Sequence, residues 1–517
     1  MEGHCYLLYM LLALLAPLFA VHMRRRGRGA DPALRLPPGP WELPVIGSLH
    51  HIAGRLPHRA LRDLARRHGP VMLLRVGEVP TLVVSSREAA REVLKTHDVA
   101  FASRRLSATL RAMTDGGRDM MFAPYGDRWR QLRKVAIVEL LSARRVLSFR
   151  AVRAEEVSAM LRAAAAAAAS RAALDMRAAL ATLVADTTMR AAVGDRCRHR
   201  DALLRVLEHS ISLAGGFNPA DLWPSSRLVG WLSGAVGGAR ECRDAVSRIL
   251  DSIIDDHLER MDKQGSEVEA VEVEDLLLVL LKIHRDGTLD IPLDMDAIKH
   301  VIFDIFAGSE TSSVVLEWAM AELIRNPRTM ERAAAEVRWA FASRGAVAED
   351  ALGELRYLHH VVRETFRLHV PVPLLVPRVC REPCCVLGYD VPPGATVLVN
   401  AWALGRDGRY WPGGDAEEFR PERFEEGEAV AAVDLRGADF ELLPFGAGRR
   451  MCPGMPFGLA VVEHALASLL LHFDWELVDG PAAEMDMTEE FGITVRRKKD
   501  LLLRPILRVP VPDHISL

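Results

Sequence analysis

Pro444-Phe445-Gly446-Ala447-Gly448-Arg449-Arg450-Met451-Cys452-Pro453-Gly454 decides how the rest of this chain is read. One cysteine stands in a loop with three glycines and two arginines, just ahead of the apolar run Gly458–Phe473, which reads as a helix. Glycines let a backbone come close to a flat ligand. A helix N-terminus and neighbouring arginines favour thiolate over thiol, and main-chain N–H groups there can bond to the sulfur and tune its electron donation. A loop cysteine taken alone is most often structural; the string around Cys452 shifts that weighting.

The chain has 517 residues, 50% hydrophobic and 26% charged, which excludes a disordered chain, a collagen and a disulfide mini-protein. Lys plus Arg is 66 against 69 Asp plus Glu, so no basic surplus exists to neutralise a phosphate backbone and no nucleic-acid partner is expected. Leu and Ala dominate and only 6% of residues are aromatic, which favours helix over strand. The seven cysteines show no paired spacing, which disfavours a disulfide scaffold and a structural zinc site. Cys380, Cys384 and Cys385 read as small apolar residues in a sheet.

The run Cys5–Val21 is apolar, is followed by Arg24, Arg25, Arg26 and Arg28, and has no basic residue ahead of it. That order is the reverse of a secretory signal, and the positive-inside rule puts the arginines in the cytosol. The expectation is a transmembrane anchor over 1–23, a basic and proline-rich linker over 24–40 ending in the stiff Leu36-Pro37-Pro38-Gly39-Pro40, and one catalytic body over 41–517. A cleaved signal peptide is the alternative.

Along the body, Ala60–His68 reads as a short amphipathic helix, and Val71–Arg75 with Thr81–Ser85 as a strand pair around Gly77. Arg87 to about His257 is mostly helical; Asp262–Glu274 reads as an exposed loop. Helices are expected over Ile298–Arg325 and Leu355–Leu368, and strands over Val386–Val391 and Thr396–Ala401, split by the turn Pro392-Pro393-Gly394. The long irregular stretch Asp407–Gly454 is of the kind that is usually functional. The fold class is mainly α with a small β part, too interleaved for separate domains.

Within the apolar helix, Ala307-Gly308-Ser309-Glu310-Thr311-Ser312 is unexpectedly polar. Thr311 can divert a backbone carbonyl and bend the turn. Glu310 and Thr311 put an acid beside an alcohol, the requirement for relaying protons through water. A charged Glu is expensive on an apolar helix, which argues against mere satisfied polarity. Glu364 and Arg367 share a helical face; alone, such a pair would read as a surface salt bridge.

The Cys452 string resembles the haem-binding signature of the cytochrome P450 superfamily, F-x-x-G-x-R-x-C-x-G, through Phe445, Gly448, Arg450, Cys452 and Gly454. Further family-like motifs follow from Pro37 to Arg496. The resemblance implies the P450 fold, haem b as cofactor, Cys452 as its axial thiolate and metal ligand, and Arg450 on a haem propionate. Such a thiolate favours O–O cleavage. It implies that Glu310 and Thr311 serve oxygen activation, and that Glu364, Arg367 and Arg423 (in Pro421-Glu422-Arg423-Phe424) form a buried structural brace. Trp129 and Arg133, in a W-R-x-x-R helix, and Arg378 would reach propionates, although each cation alone could be a surface arginine. His369-Val370-Pro371 and Gly408 depart mildly from the family pattern.

Pro37-Pro38-Gly39-Pro40, Phe217-Asn218-Pro219-Ala220-Asp221, Ala307–Ser313 and Cys452–Ala460 look like the plant microsomal A-type group of specialised metabolism. The implied activity is a haem-thiolate monooxygenase that inserts one oxygen atom from O2 into a small hydrophobic substrate. No GxGxxG follows a strand and no P-loop is present, so electrons from NADPH would arrive through a membrane-bound NADPH–cytochrome P450 reductase, docked near Cys452 with Arg449 as a contact. The expected location is the endoplasmic reticulum membrane, single-pass, with the catalytic domain cytosolic. Phe303, Ala307, Leu374, Leu375, Ile493 and Val495 are expected to line the pocket. A terpenoid is the first expectation, with indolic, phenolic or oxime substrates open. A haem-dependent isomerase or dehydratase without oxygen activation is the rival class, opposed by the intact Glu310-Thr311 pair.

Overall fold

The computed structural model describes residues 34–194, 199–215, 217–264 and 274–512. The expected anchor 1–23, most of the linker behind it and residues 265–273 of the loop expected over Asp262–Glu274 lie outside the described residues; the first three positions of that loop instead end the helix Ala235–Gln264. The protein is mainly helical with a small sheet part, as the sequence predicts.

The central element is the helix Met295–Arg325, whose first turn is capped by the Asp294 side chain accepting from the Ala297 N–H. From Val314 to Ile324 every residue is buried, as expected of a helix surrounded by others. It packs against Met176–Val193, Arg356–Leu368 and Met455–His472. The last of these is long and apolar enough to cross a membrane by length and composition, but it is mostly buried inside the protein. Its Leu466, Leu469 and Leu470 have no exposed surface, and each contributes about 1.5–3 kcal/mol by leaving water.

The helices expected from sequence are present as Pro57–His68, Met295–Arg325, Arg356–Leu368 and Met455–His472. The largest sheet runs in the order Val71–Val76, Val79–Val84, Thr396–Val399, Arg378–Val379, Ser103–Arg104, with one parallel pairing between its second and third strands. Ser103–Arg104 and Leu174–Asp175 are strands inside the region expected to be helical. The single strand expected over Val386–Val391 is instead a hairpin, Cys384–Val386 paired with Tyr389–Val391. Leu387 and Gly388 both take positive φ, at 47° and 78°, which reverses the chain within two residues.

The irregular stretch from 407 to 454 is held by one carboxylate. Glu364 accepts from Arg367 Nε and Nη2, each at 2.7 Å, from Arg423 Nε at 3.0 Å and from the Arg420 main-chain N–H at 2.8 Å. Arg367 also donates to the Ala416 and Glu418 carbonyls at 2.6 and 2.8 Å, and Arg423 to Asp415 at 3.2 Å. The side chains of Glu364 and Arg367 are fully buried. Removing one partner of such a network strands the others in low dielectric. Glu364→Ala should therefore cost about 3–5 kcal/mol, read as a large fall in Tm; a Tm within a degree or so of the wild type would contradict this role.

Candidate active site

The cysteine loop is closed by the Cys452 N–H donating to the Phe445 carbonyl at 2.9 Å and the Met451 N–H donating to the Gly448 carbonyl at 3.0 Å. Phe445 packs at 5.0 Å on Phe366, which anchors the loop to the helix carrying Glu364. Gly448 has φ +67°, and a Cβ there would lie 2.1 Å from the Leu94 carbonyl oxygen. Gly448 thus allows a close approach to the neighbouring Leu94 backbone.

Cys452 Sγ opens into an interior cavity of about 340 Å³ rather than to bulk solvent, so the thiol is surface-accessible yet deep in the protein. Burial pushes its pKa up, against the N–H groups of Gly454 and Met455 and the Arg133 guanidinium, which pull it down. Sequence alone favoured the thiolate; within the protein burial wins, and it takes a metal cation at the sulfur to reverse the balance.

Across the cavity lies the middle of the long helix. Ser309, Thr311 and Ser313 each donate a hydroxyl to the carbonyl three residues back, at 2.7, 2.9 and 2.8 Å. Thr311 spends its proton on Gly308 and keeps its lone pairs for the cavity. Glu310 Oε2 is buried without a hydrogen-bond partner among the described residues. Burial raises the Glu310 pKa, with the Thr494 side chain and Arg496 pulling the other way. This is an acid that keeps its proton to higher pH than usual, next to an alcohol that can accept a hydrogen bond.

One end of the cavity gathers cations. Arg104, Arg133, Arg378 and Arg450 all line it. Arg378 donates to the Ala447 carbonyl at 3.0 Å and to Asp98 at 3.3 Å. Arg133 donates to the Met451 carbonyl. Arg450 donates to the carbonyls of Ala102, at 2.6 Å, and of Ala123, and its guanidinium lies 4.1 Å from the Trp129 ring centroid. Trp129 Nε1–H donates to the Met120 carbonyl at 3.1 Å. Burial lowers the Arg378 pKa to about 10 despite Asp98. Burial, then Arg378, lowers that of Arg450 to about 9. Arg104 falls well below its ordinary value through burial and its three arginine neighbours. Asp119, the nearby carboxylate, is itself raised to about 7 by burial. So concentrated a buried positive charge fits a ligand bearing two carboxylates, and a soft sulfur fits its iron: these residues fit haem.

Of the six expected pocket residues, Phe303, Ala307, Leu375 and Ile493 line the cavity. Leu374 lines an adjoining one of about 130 Å³, which Leu375 and Ile493 share. Val495 lines neither: its N–H donates to the Pro371 carbonyl at 2.9 Å and its carbonyl accepts from Trp318 Nε1 at 3.2 Å, and Thr494 faces the cavity in its place. Sequence reasoning missed Arg104 and His300. Arg104 is set opposite Arg378 by strand pairing, which no local pattern announces. His300 precedes Phe303 by three positions on the same helical face, a spacing that could have found it.

Sulfur at a helix start, a cation-rich end and an apolar wall with an acid–alcohol pair define the site of a haem-thiolate oxidoreductase. The chain belongs to the cytochrome P450 family, whose model matches residues 37–504. It is 47% identical over 495 residues to zealexin A1 synthase of Zea mays, covering 95% of this chain and 96% of that one. It is 48% identical over 482 residues to dolabradiene monooxygenase of Zea mays, with 92% and 93% covered. It is 44% identical over 487 residues to premnaspirodiene oxygenase of Hyoscyamus muticus, with 94% and 95% covered. A solved zebrafish cytochrome P450 with progesterone shares the fold at a TM-score of 0.72 and 24% identity, covering 87% of this chain and 99% of that one. The protein is a plant A-type P450 monooxygenase with haem as its cofactor.

Gly448→Ala must displace the Leu94 carbonyl or the sulfur loop. The expected outcome is folded protein with most of its haem lost, measured as the haem-to-protein ratio; wild-type haem content would show that the loop tolerates a Cβ.

Proposed function

We propose that this monooxygenase inserts one atom of O2 into a C–H bond of a small hydrophobic substrate, a terpenoid first of all. The second atom leaves as water, and the two electrons come from NADPH through a flavoprotein reductase. The observation that carries the proposal is the meeting, above Cys452, of an apolar wall (Phe303, Ala307, Leu375, Ile493) with the Glu310–Thr311 pair. Relatives named for a diene that they oxygenate support the terpenoid class.

When bound, haem supplies the activation of O2 and the oxidation of the C–H bond. Cys452 would hold its iron. Arg133, Arg378 and Arg450, with Trp129, would hold its carboxylates, and Phe445 would pack the loop beneath it. Apolar side chains exclude water from the reacting carbon. Glu310 holds a proton, and Thr311, whose hydroxyl donates to the Gly308 carbonyl, keeps lone pairs that can accept a hydrogen bond and orient a water in a proton relay. Arg449, with about half its side chain exposed and its Nε 3.5 Å from Asp98 Oδ2, would meet the reductase on the face behind the sulfur. The segment 1–23 would anchor the protein in the endoplasmic reticulum membrane with the catalytic body cytosolic.

Co-expression with a reductase and a panel of terpenes, indoles, phenolics and oximes tests the reading. NADPH-dependent oxygenation of a terpene is expected; turnover confined to another class would overturn the substrate assignment. Thr311→Ala should lower product formed per NADPH by roughly tenfold while NADPH consumption continues. Because the Glu310 pKa is raised, its proton is present below that value and lost as pH rises through it. Product per NADPH should therefore fall with rising pH in the wild type, and Glu310→Gln should flatten the profile.

A further inference from the structure

A second cavity, of about 280 Å³, adjoins the one above Cys452, and His300, Phe303, Met113 and Ser210 line both. Its walls are charged, but the charges are largely paired with one another. Lys299 Nζ lies 2.5 Å from Asp251 and 3.2 Å from Ser247 Oγ. Arg243 donates to Asp244 at 2.8 Å, and Arg118 lies 3.4 Å from both Asp115 and Asp296. His300 differs: it makes no hydrogen bond among the described residues. Burial lowers its pKa, against Asp115 and Asp296 and with Arg118 and Arg128, so it is a neutral imidazole near neutral pH. A neutral imidazole both donates and accepts. Its ring is half-buried and reachable from both cavities, so it can hydrogen-bond an oxygen atom carried by a molecule bound there.

Position matters as much as chemistry. His300, Phe303, Ala307 and Thr311 follow one face of the helix at spacings of three and four. His300 precedes Thr311 by about 16 Å of helix axis. A molecule that touches both ends must be elongated.

Resting on the monooxygenase reading above, we propose that His300 is a specificity-determining residue that hydrogen-bonds a hydroxyl or carbonyl oxygen already present on the substrate. The substrate is then an elongated hydrophobic molecule with an oxygen function at one end, and oxidation falls at the other. Among the described residues the charges around the second cavity are paired with one another, which favours a neutral oxygen. In a reaction sequence, a step that installs an alcohol (a cyclisation ended by water capture, or a hydroxylation) must come first, followed by a two-electron oxidation where the group is a ketone.

The test is a set of terpenoids sharing one skeleton: the hydrocarbon, its mono-alcohol and its ketone. Their affinities for the full-length haem-loaded protein are measured by the absorbance shift on binding and by calorimetry, with haem content checked for each sample. The wild type should bind the alcohol or ketone about five- to tenfold more tightly than the hydrocarbon. His300→Leu should erase that preference while hydrocarbon affinity changes less than about twofold, and His300→Gln, which keeps a donor and an acceptor, should restore part of it. A wild type that binds the hydrocarbon as tightly as its oxygenated partners overturns the proposal, whatever the variants do. So does a preference that survives in His300→Leu. Wild-type protein that takes up no haem would instead overturn the underlying monooxygenase reading.

Discussion

The site depends on a buried carboxylate that touches nothing in it. Glu364 receives the guanidinium of Arg367 from its own helix and, from the segment that runs on to the cysteine loop, the Arg423 guanidinium and the Arg420 main-chain N–H. Irregular backbone has no repeating hydrogen-bond ladder to fix it, so its shape has to be imposed by side chains. Here Arg367 and Arg423 reach the carbonyls of 415–418. Phe366, on the same helix as Glu364, meets Phe445. One helix thereby fixes both the course of the irregular stretch and the base of the loop that presents Cys452.

The cation end works by opposite logic. Four arginines converge where, among the described residues, Asp98 and Asp119 offer counter-charge, and Asp119 itself resists ionisation. The network around Glu364 is complete within the protein, whereas the arginine cluster is in excess by itself. Buried positive charge in excess destabilises the fold until an anion arrives, so cofactor binding and folding are coupled through these side chains.

Local patterns were legible in the sequence. Helical periodicity located the long helix and those of Glu364 and the C-terminal core, because apolar spacing along one segment depends on that segment alone. Tertiary decisions were not legible. The Cys384–Val391 hairpin hides because Leu387, a bulky residue, takes the positive φ usually left to glycine or asparagine. Arg104 reaches the cavity only by pairing with Arg378, far away in the chain. Val495 is apolar and was assigned to the pocket by composition; its neighbour Thr494 faces the cavity because Val495 is bound by its backbone to Pro371 and Trp318.

That last contact reaches beyond one residue. Through the amide and carbonyl of Val495, two pocket walls far apart in sequence are stitched to each other and to the back of the central helix. The stitches are main-chain groups, indifferent to which side chains flank them. The lining can thus be exchanged residue by residue while the frame stays put, which is how one scaffold could be retuned to new molecules without being rebuilt.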